Sequence, residues 1–213
     1  MKTGILWDLD GTLLDTLGDL ADSLNSTLEQ FGYPARTVQE VRAFVGNGAR
    51  RLIELAIPEG AENTDAVLAA FQAYYRGHCQ IKTKPYDGIP EVLAQLGEKY
   101  PMAVVSNKPD GAVKILCAQY FPNLYARGES ADCPRKPAPD MVLKAMEDIG
   151  VTSCIYVGDS EVDVVTARNA GVPCLSVLWG FRDRPEIEDA GGAYFCESVQ
   201  TLAEKLEEMI HGQ

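Results

Sequence analysis

The sequence predicts an α/β fold, a Rossmann-like three-layer core around an open parallel sheet with a small all-helical cap. Three observations predict it. Short apolar runs end in polar clusters at separated places, strand and helix patterns alternate from about residue 84 onward, and residues 15–80 keep helical spacing with no convincing strand. The division that follows is a core of residues 1–14 and 85–213 and a cap of residues 15–84, with hinges near residues 14–15 and 82–85.

The first apolar run ends in Trp7-Asp8-Leu9-Asp10-Gly11-Thr12. Residues two apart on a strand point to one face, so Asp8 and Asp10 can converge at its exposed carboxyl end. Two adjacent carboxylates repel unless a positive charge lies between them, and a hard divalent cation, Mg²⁺, suits oxygen ligands while keeping positions for a phosphate. The same four residues from Asp8 to Gly11 also suit a plain turn.

The cap follows. Leu17, Leu20, Ala21, Leu24 and Leu28 recur at helical spacing, as do Leu52, Leu55 and Ala56, and then Val67, Ala70, Phe71 and Tyr74. Between the early helices, Phe44-Val45-Gly46-Asn47-Gly48-Ala49-Arg50 sets two glycines around an Asn. Backbone N–H groups at the start of the next helix can hold a small anion, which makes Gly46, Asn47, Gly48 and Arg50 candidates for substrate contact. An ordinary helix–helix turn uses the same residue types.

Beyond Lys84-Pro85-Tyr86-Asp87-Gly88 the pattern gives helix 89–99, strand 102–106, helix 110–119, helix 138–149, strand 154–157, helix 161–170 and strand 174–178. A final amphipathic helix starts at Ser198 and runs through Leu202, Leu206 and Ile210. Met102-Ala103-Val104-Val105 leads into Ser106-Asn107-Lys108. Arg135-Lys136-Pro137-Ala138-Pro139-Asp140 opens a helix, and Cys154-Ile155-Tyr156-Val157 leads into Gly158-Asp159-Ser160-Glu161-Val162-Asp163. In an open parallel sheet such clusters all face one crevice beyond the strand ends. Ser106 offers a hydroxyl and Asn107 donors to phosphate oxygens, Lys136 offers positive charge, Asp159 is a third carboxylate for a metal, and Asp163 lies one helical turn later on the same face. Taken singly, each cluster also reads as a helix cap or a solvated surface group.

In this order and spacing the four clusters resemble the haloacid dehalogenase-like superfamily of phosphohydrolases, over nearly the whole chain. The resemblance implies that Asp8 is the nucleophile of an aspartyl-phosphate intermediate and Asp10 the general acid and base. It also implies that Ser106 and Lys136 bind phosphate, and that Asp8, the Asp10 carbonyl and Asp159 ligate Mg²⁺ with Asp163 in support. Gly11, Thr12 and Asn107 are further candidates for substrate contact. The cap inserted after the first cluster, and its glycine loop, are similar to those of phosphoglycolate phosphatases. The chemistry is coherent without the family. A phosphoryl group in transfer spreads negative charge over three oxygens, so an anionic nucleophile works only beside supplied positive charge.

Composition bounds the alternatives. The 213 residues carry 46% hydrophobic content, enough for a proper core, with no apolar run of the length a bilayer needs and no signal-peptide pattern, so a cytoplasmic protein is expected. Six cysteines show no Cys-x-x-Cys spacing and read as buried thiols. The net charge of −12 argues against nucleic acid and does not forbid a small anionic substrate, and the resemblance implies a small phosphorylated metabolite as the partner. Residues 15–84 hold nine acids and seven bases, so Arg50, Arg51, Arg76, Lys82 and Lys84 are at hand for a substrate carboxylate. A sugar phosphomutase, a nucleotidase, a pyrophosphatase or a non-catalytic binding module share the pattern. A phosphonatase fits less well because Lys82 and Lys84 fall at a hinge, and a dehalogenase less well because Asp10 is present. No heptad seam separates a monomer from a homodimer.

Overall fold

The computed structural model describes residues 2–131 and 133–212. Its core is a six-stranded parallel sheet of β1 (Thr3–Trp7), β4 (Met102–Pro109), β5 (Tyr125–Glu129), β6 (Ser153–Gly158), β7 (Cys174–Val177) and β8 (Tyr194–Cys196), in the order β5-β4-β1-β6-β7-β8. Strand β1 is therefore central, flanked by β4 and β6, and its ladder continues one residue past its end through Asp8 N–H donating to the Val157 carbonyl at 2.8 Å.

Alternation along the strands separates the two buried faces. Ile5, Trp7, Val104, Ile155, Val157, Leu175 and Val177 pack on α5 (Ile89–Gly97), α6 (Asp110–Tyr120) and α10 (Leu202–His211), through Leu93, Leu96, Val113, Leu116, Leu202 and Leu206. Leu6, Ala103, Val105, Cys154 and Tyr156 pack on α7 (Asp140–Asp148) and α8 (Glu161–Ala170), through Met141, Val142, Ala145 and Ala167. Strands buried on both faces read as continuous apolar runs, which is why β1, β4 and β6 were visible in the sequence.

Differences from expectation lie at the sheet's edges. Strands β5 and β8 and the short helix α9 (Arg184–Asp189) were not predicted. In β5 only Gly128 is buried, and a Cβ there would run into the backbone of Lys108 and Asp110, so the strand exists to let β4 approach it. Strand β4 continues through Pro109, three residues beyond the predicted end, and carries Ser106, Asn107 and Lys108 within it. The final helix is preceded by a 3₁₀ turn, Val199–Thr201.

Four helices fill the chain between the core's first loop and its return: α1 (Leu17–Gln30), α2 (Val38–Phe44), α3 (Gly48–Ala56) and α4 (Thr64–His78). Leu20, Leu24 and Leu28 of α1 share a core with Val67, Phe71 and Tyr75 of α4. Helix α2 starts on a capping box, with the Thr37 hydroxyl accepting from Glu40 N–H and the Glu40 carboxylate accepting from Thr37 N–H. The two crossings into this layer pair with each other as the two-residue strands β2 (Leu14–Asp15) and β3 (Lys84–Pro85), antiparallel, with Leu14 opposite Pro85 and Asp15 opposite Lys84. Pairs this short carry no periodicity, so the sequence did not announce them.

The buried Asp19 carboxylate holds the return crossing. It accepts the backbone N–H groups of Ile81, Lys82 and Thr83 at 3.0, 2.8 and 2.9 Å. Replacing Asp19 with Ala strands three donors, and urea unfolding should show a loss of about 3 kcal/mol with faster amide exchange at residues 81–83. Unchanged stability would mean that the crossing is held elsewhere.

Candidate functional site

The sheet's central crevice gathers side chains from four loops and strand ends. Asp8 and Asp10 follow β1, Ser106, Asn107 and Lys108 lie on β4, Lys136 precedes α7, and Asp159 follows β6. Asp8, Asp10, Ser106, Asn107, Lys108, Lys136 and Asp159 all line one cavity of about 60 Å³, roofed by Leu20, Val45, Gly46, Gly48, Ala49, Phe71 and Tyr75.

Lys136 is the electrostatic centre. Its ammonium is buried, donates to Asp163 Oδ1 at 2.8 Å and to the Tyr156 hydroxyl at 3.0 Å, and lies 2.8 Å from Asp8 Oδ1. Burial alone would depress its pKa, but Asp163 and then Asp8 outweigh it and hold the amine charged well above the usual lysine range. The Asn107 amide fixes the Lys136 backbone, its Oδ1 accepting from Lys136 N–H at 2.7 Å and its Nδ2 donating to the Lys136 carbonyl at 3.0 Å. The same Nδ2 also donates to the Gly46 carbonyl in the loop between α2 and α3 at 3.1 Å.

Burial pushes the Asp8 carboxyl up to about 7, the neighbouring Asp163 and Asp10 charges adding to the effect and Lys136 opposing it. Asp8 Oδ1 has that ion pair but no aligned hydrogen bond among the described residues. Asp159 is also held well above the ordinary carboxylate range, by burial first and then by Asp163 and Asp8, against an opposing N–H from Phe181 at 2.6 Å. It is wedged between two glycines, since a Cβ on Gly11 or on Gly180 would strike its carboxylate, and Gly11 also takes φ +81°. Thr12 Oγ1 donates to its other oxygen at 3.3 Å.

One ligand oxygen each from Asp8, Asp159 and Asp163 lie within 4.8 Å of one another. Three buried carboxylates, one with an orphaned oxygen, fit a hard divalent cation. Asp163 is the most committed of them, because Oδ1 serves Lys136 while Oδ2 accepts from Ser160 N–H and Oγ at 3.1 and 2.6 Å and closes the capping box of α8.

Not every candidate faces the cavity. Gly11, Thr12 and Asp163 stand behind it and shape Asp159 and Lys136. Gly46 and Gly48 line it, whereas Asn47 sits at the start of α3 away from the lining. Arg50 is exposed, bonded to Asp65 of α4 at 2.7 Å and outside the lining: the turn of α3 that puts Gly48 inward puts Arg50 outward.

Three residues enter that sequence reasoning did not single out. Lys108 pairs with Asp10 at 2.8 Å and lies 4.7 Å from the centre of the Tyr75 ring. Its place two residues beyond Ser106 on a strand was the available signal. Tyr75 continues the Val67 and Phe71 stripe of α4, where a core role and a cavity role look alike. Arg182 gave no signal: from the core it donates to the carbonyls of Arg42 at 3.0 Å, Ala43 at 3.4 Å and Val45 at 2.6 Å, at the C-terminus of α2, and pairs with Glu161 at 3.0 Å. Such a cation satisfies orphaned helix carbonyls and meets the negative end of the helix dipole. Arg42 returns the contact to the Gly180 carbonyl at 3.3 Å and Asp183 at 3.0 Å.

A family profile described as Haloacid dehalogenase-like hydrolase matches residues 5–177. The chain is similar to Phosphoglycolate phosphatase 1 of Pseudomonas aeruginosa, 35% identical over 201 residues covering 87% of this chain and 73% of that one. It is equally similar to the phosphoglycolate phosphatase of Agrobacterium fabrum, 35% identical with 94% and 92% covered. A crystal structure from Lactobacillus delbrueckii subsp. bulgaricus, provisionally described as a phosphoglycolate phosphatase, superposes with a TM-score of 0.90 at 35% identity, covering 97% of this chain and 99% of that one.

The raised Asp8 pKa makes cation binding and stability depend on pH. Asp8 is shifted upward, from 3.8 to about 7, so the metal-free protein favours its protonated form between those values and loses stability as rising pH forces the charge into the crevice. A divalent cation relieves that penalty, so the rise in melting temperature on adding one should be larger at pH 8 than at pH 6. Equal rises at both would remove Asp8 from the ligand set.

Proposed function

Because this chain belongs to the haloacid dehalogenase-like hydrolases, we propose that it is a Mg²⁺-dependent phosphomonoesterase acting on a small phosphorylated acid, 2-phosphoglycolate foremost. The observation that carries this reading is the cavity. Its floor concentrates phosphate chemistry in Asp8, Ser106, Lys136 and Asp159, while its roof supplies one polar side chain, Tyr75, in a space of about 60 Å³. By the measure that one water occupies roughly 10–15 Å³, that is room for a few water-sized groups, too little for a nucleoside with the roof in place. A sugar phosphate would want several hydroxyl partners from the roof. The names of the similar proteins support the same substrate.

In this reading residues 15–84 are a cap over a core of residues 1–14 and 85–213, and its seating keeps bulk water from the reaction. The Asp8 carboxylate attacks phosphorus, and the bond from phosphorus to the substrate's ester oxygen breaks as the Asp8–phosphorus bond forms. Asp10 gives its proton to the departing oxygen, then accepts one from the water that attacks phosphorus, which releases inorganic phosphate and restores Asp8. The Ser106 hydroxyl meets the phosphoryl oxygens, and the charge of Lys136, held beside Asp8, offsets theirs. The Ser106 proton is free for this, since its Oγ accepts from Lys108 N–H at 3.2 Å. Asp8 and Asp159, with Asp163 beside them, would hold Mg²⁺, which would supply the positive charge that lets an anionic nucleophile approach an anionic phosphate.

Phosphate release is the direct test. With Mg²⁺ present, kcat/KM for 2-phosphoglycolate should exceed those for glucose 6-phosphate, AMP and pyrophosphate by at least about tenfold, and Asp8→Asn should lower release by about 1000-fold or more. Preference for a sugar phosphate would retire the substrate, and undiminished release by Asp8→Asn would mean that the nucleophile is misassigned.

A further inference from the structure

Three cations line the cavity, and their partners differ. Lys136 spends its donors on Asp163, Tyr156 and the Asp8 ion pair, and Arg182 spends its guanidinium on Glu161 and three main-chain carbonyls. Lys108 is equally buried but makes one aligned side-chain hydrogen bond, to Asp10, and an ammonium has three donors. What faces the rest of it is the ring of Tyr75 of α4, a residue 3% exposed that lines the cavity and whose hydroxyl makes no aligned hydrogen bond among the described residues. A buried hydroxyl without a partner is costly, and the cost is relieved by a ligand that supplies one. The start of α3 brings Gly48 and Ala49 to the lining, with no side-chain cap on its first N–H groups.

We infer that Lys108 and Tyr75 form a second anion subsite that receives a carboxylate attached to the phosphorylated carbon chain. This rests on reading the crevice floor as the phosphate site, and it assigns the other end of the same substrate. A carboxylate accepts from the Lys108 ammonium and from the Tyr75 hydroxyl at once, giving a charge-assisted bond and satisfying the orphaned O–H. Lys108 belongs to the core and Tyr75 to the cap, so the substrate's own anion bridges the two layers, and a phosphate ester without it forms only half of the contact. The surrounding Leu20, Val45, Phe71 and Phe181 side chains offer nothing to a hydroxyl-rich substrate and suit a short methylene spacer.

Ethyl phosphate has nearly the shape of 2-phosphoglycolate and lacks the carboxylate, so the ratio of their kcat/KM values isolates the subsite. In the wild-type enzyme that ratio should be on the order of 100, and Lys108→Met should cut it by most of that factor even though the loss of the Asp10 partner slows both substrates. Tyr75→Phe, which keeps the ring and the packing, should cut it by about tenfold and serves if Lys108→Met does not fold. Equal losses on both substrates would overturn the subsite and leave Lys108 a positioning partner of Asp10, with the phosphatase reading intact. A wild-type ratio near one would overturn it as well. No phosphate released from either ester by the wild type would overturn the phosphatase reading and the subsite with it.

Discussion

Everything in the crevice depends on one buried ammonium. Without Lys136, Asp8 and Asp163 would face each other in a region that also holds Asp159, and burial would push Asp8 and Asp159 further toward their neutral forms. A buried ion pair is a poor source of net stability, but breaking one is expensive because a bare charge remains. The protein accordingly fixes Lys136 from both ends. Asn107 brackets its backbone, and Tyr156, itself donating to the Val105 carbonyl at 3.1 Å, accepts from its ammonium. The charge balance is still incomplete, as the raised Asp8 and Asp159 pKa values indicate, and a divalent cation is the natural completion.

Helix α2 and the glycine loop after it are gripped through their main chain as well as a side chain. Asn107 reaches the Gly46 carbonyl and Arg182 reaches those of Arg42, Ala43 and Val45, while the Arg42 side chain reaches Gly180 and Asp183. The segment from Trp179 to Asp183 joins this contact to the acidic site. Trp179 Nε1 donates to the Thr12 carbonyl, Phe181 N–H binds Asp159, and the next residue is Arg182. A shift of Asp159 is thereby mechanically linked to the arginine that grips the roof.

Most of this architecture was legible in the sequence because it rests on strong, short-range signals. The central strands were apolar on both faces, their polar ends came at fixed places, and Asp8, Asp10, Ser106, Lys136 and Asp159 fell in the crevice that strand order dictates. Edge strand β5 escaped because a half-exposed strand with polar residues looks like a loop, and β8 because three residues are too few to show a period. The roof was harder for a different reason. Which residues of α3 and α4 turn inward depends on the angle at which these helices sit, so Arg50 read as a substrate contact and lies outside, while Tyr75, which the helical spacing passed over for its neighbour Tyr74, lines the cavity. Arg182 could not be found at all, since its partners are main-chain carbonyls about 140 residues away, and main-chain carbonyls leave no trace in a sequence.

The pairing of Leu14 with Pro85 brings the two ends of a seventy-residue excursion to within one strand spacing, about 5 Å. For the sheet, the whole helical layer is then topologically equivalent to a tight hairpin. Strand β1 and helix α5 keep their paths whatever is threaded between them, so insertions, deletions or wholesale exchange of that layer can alter what the protein selects without disturbing the register of the six strands or the acids at their ends. A neck of two paired residues is thus where the chain both leaves the sheet for the helical layer and returns to it.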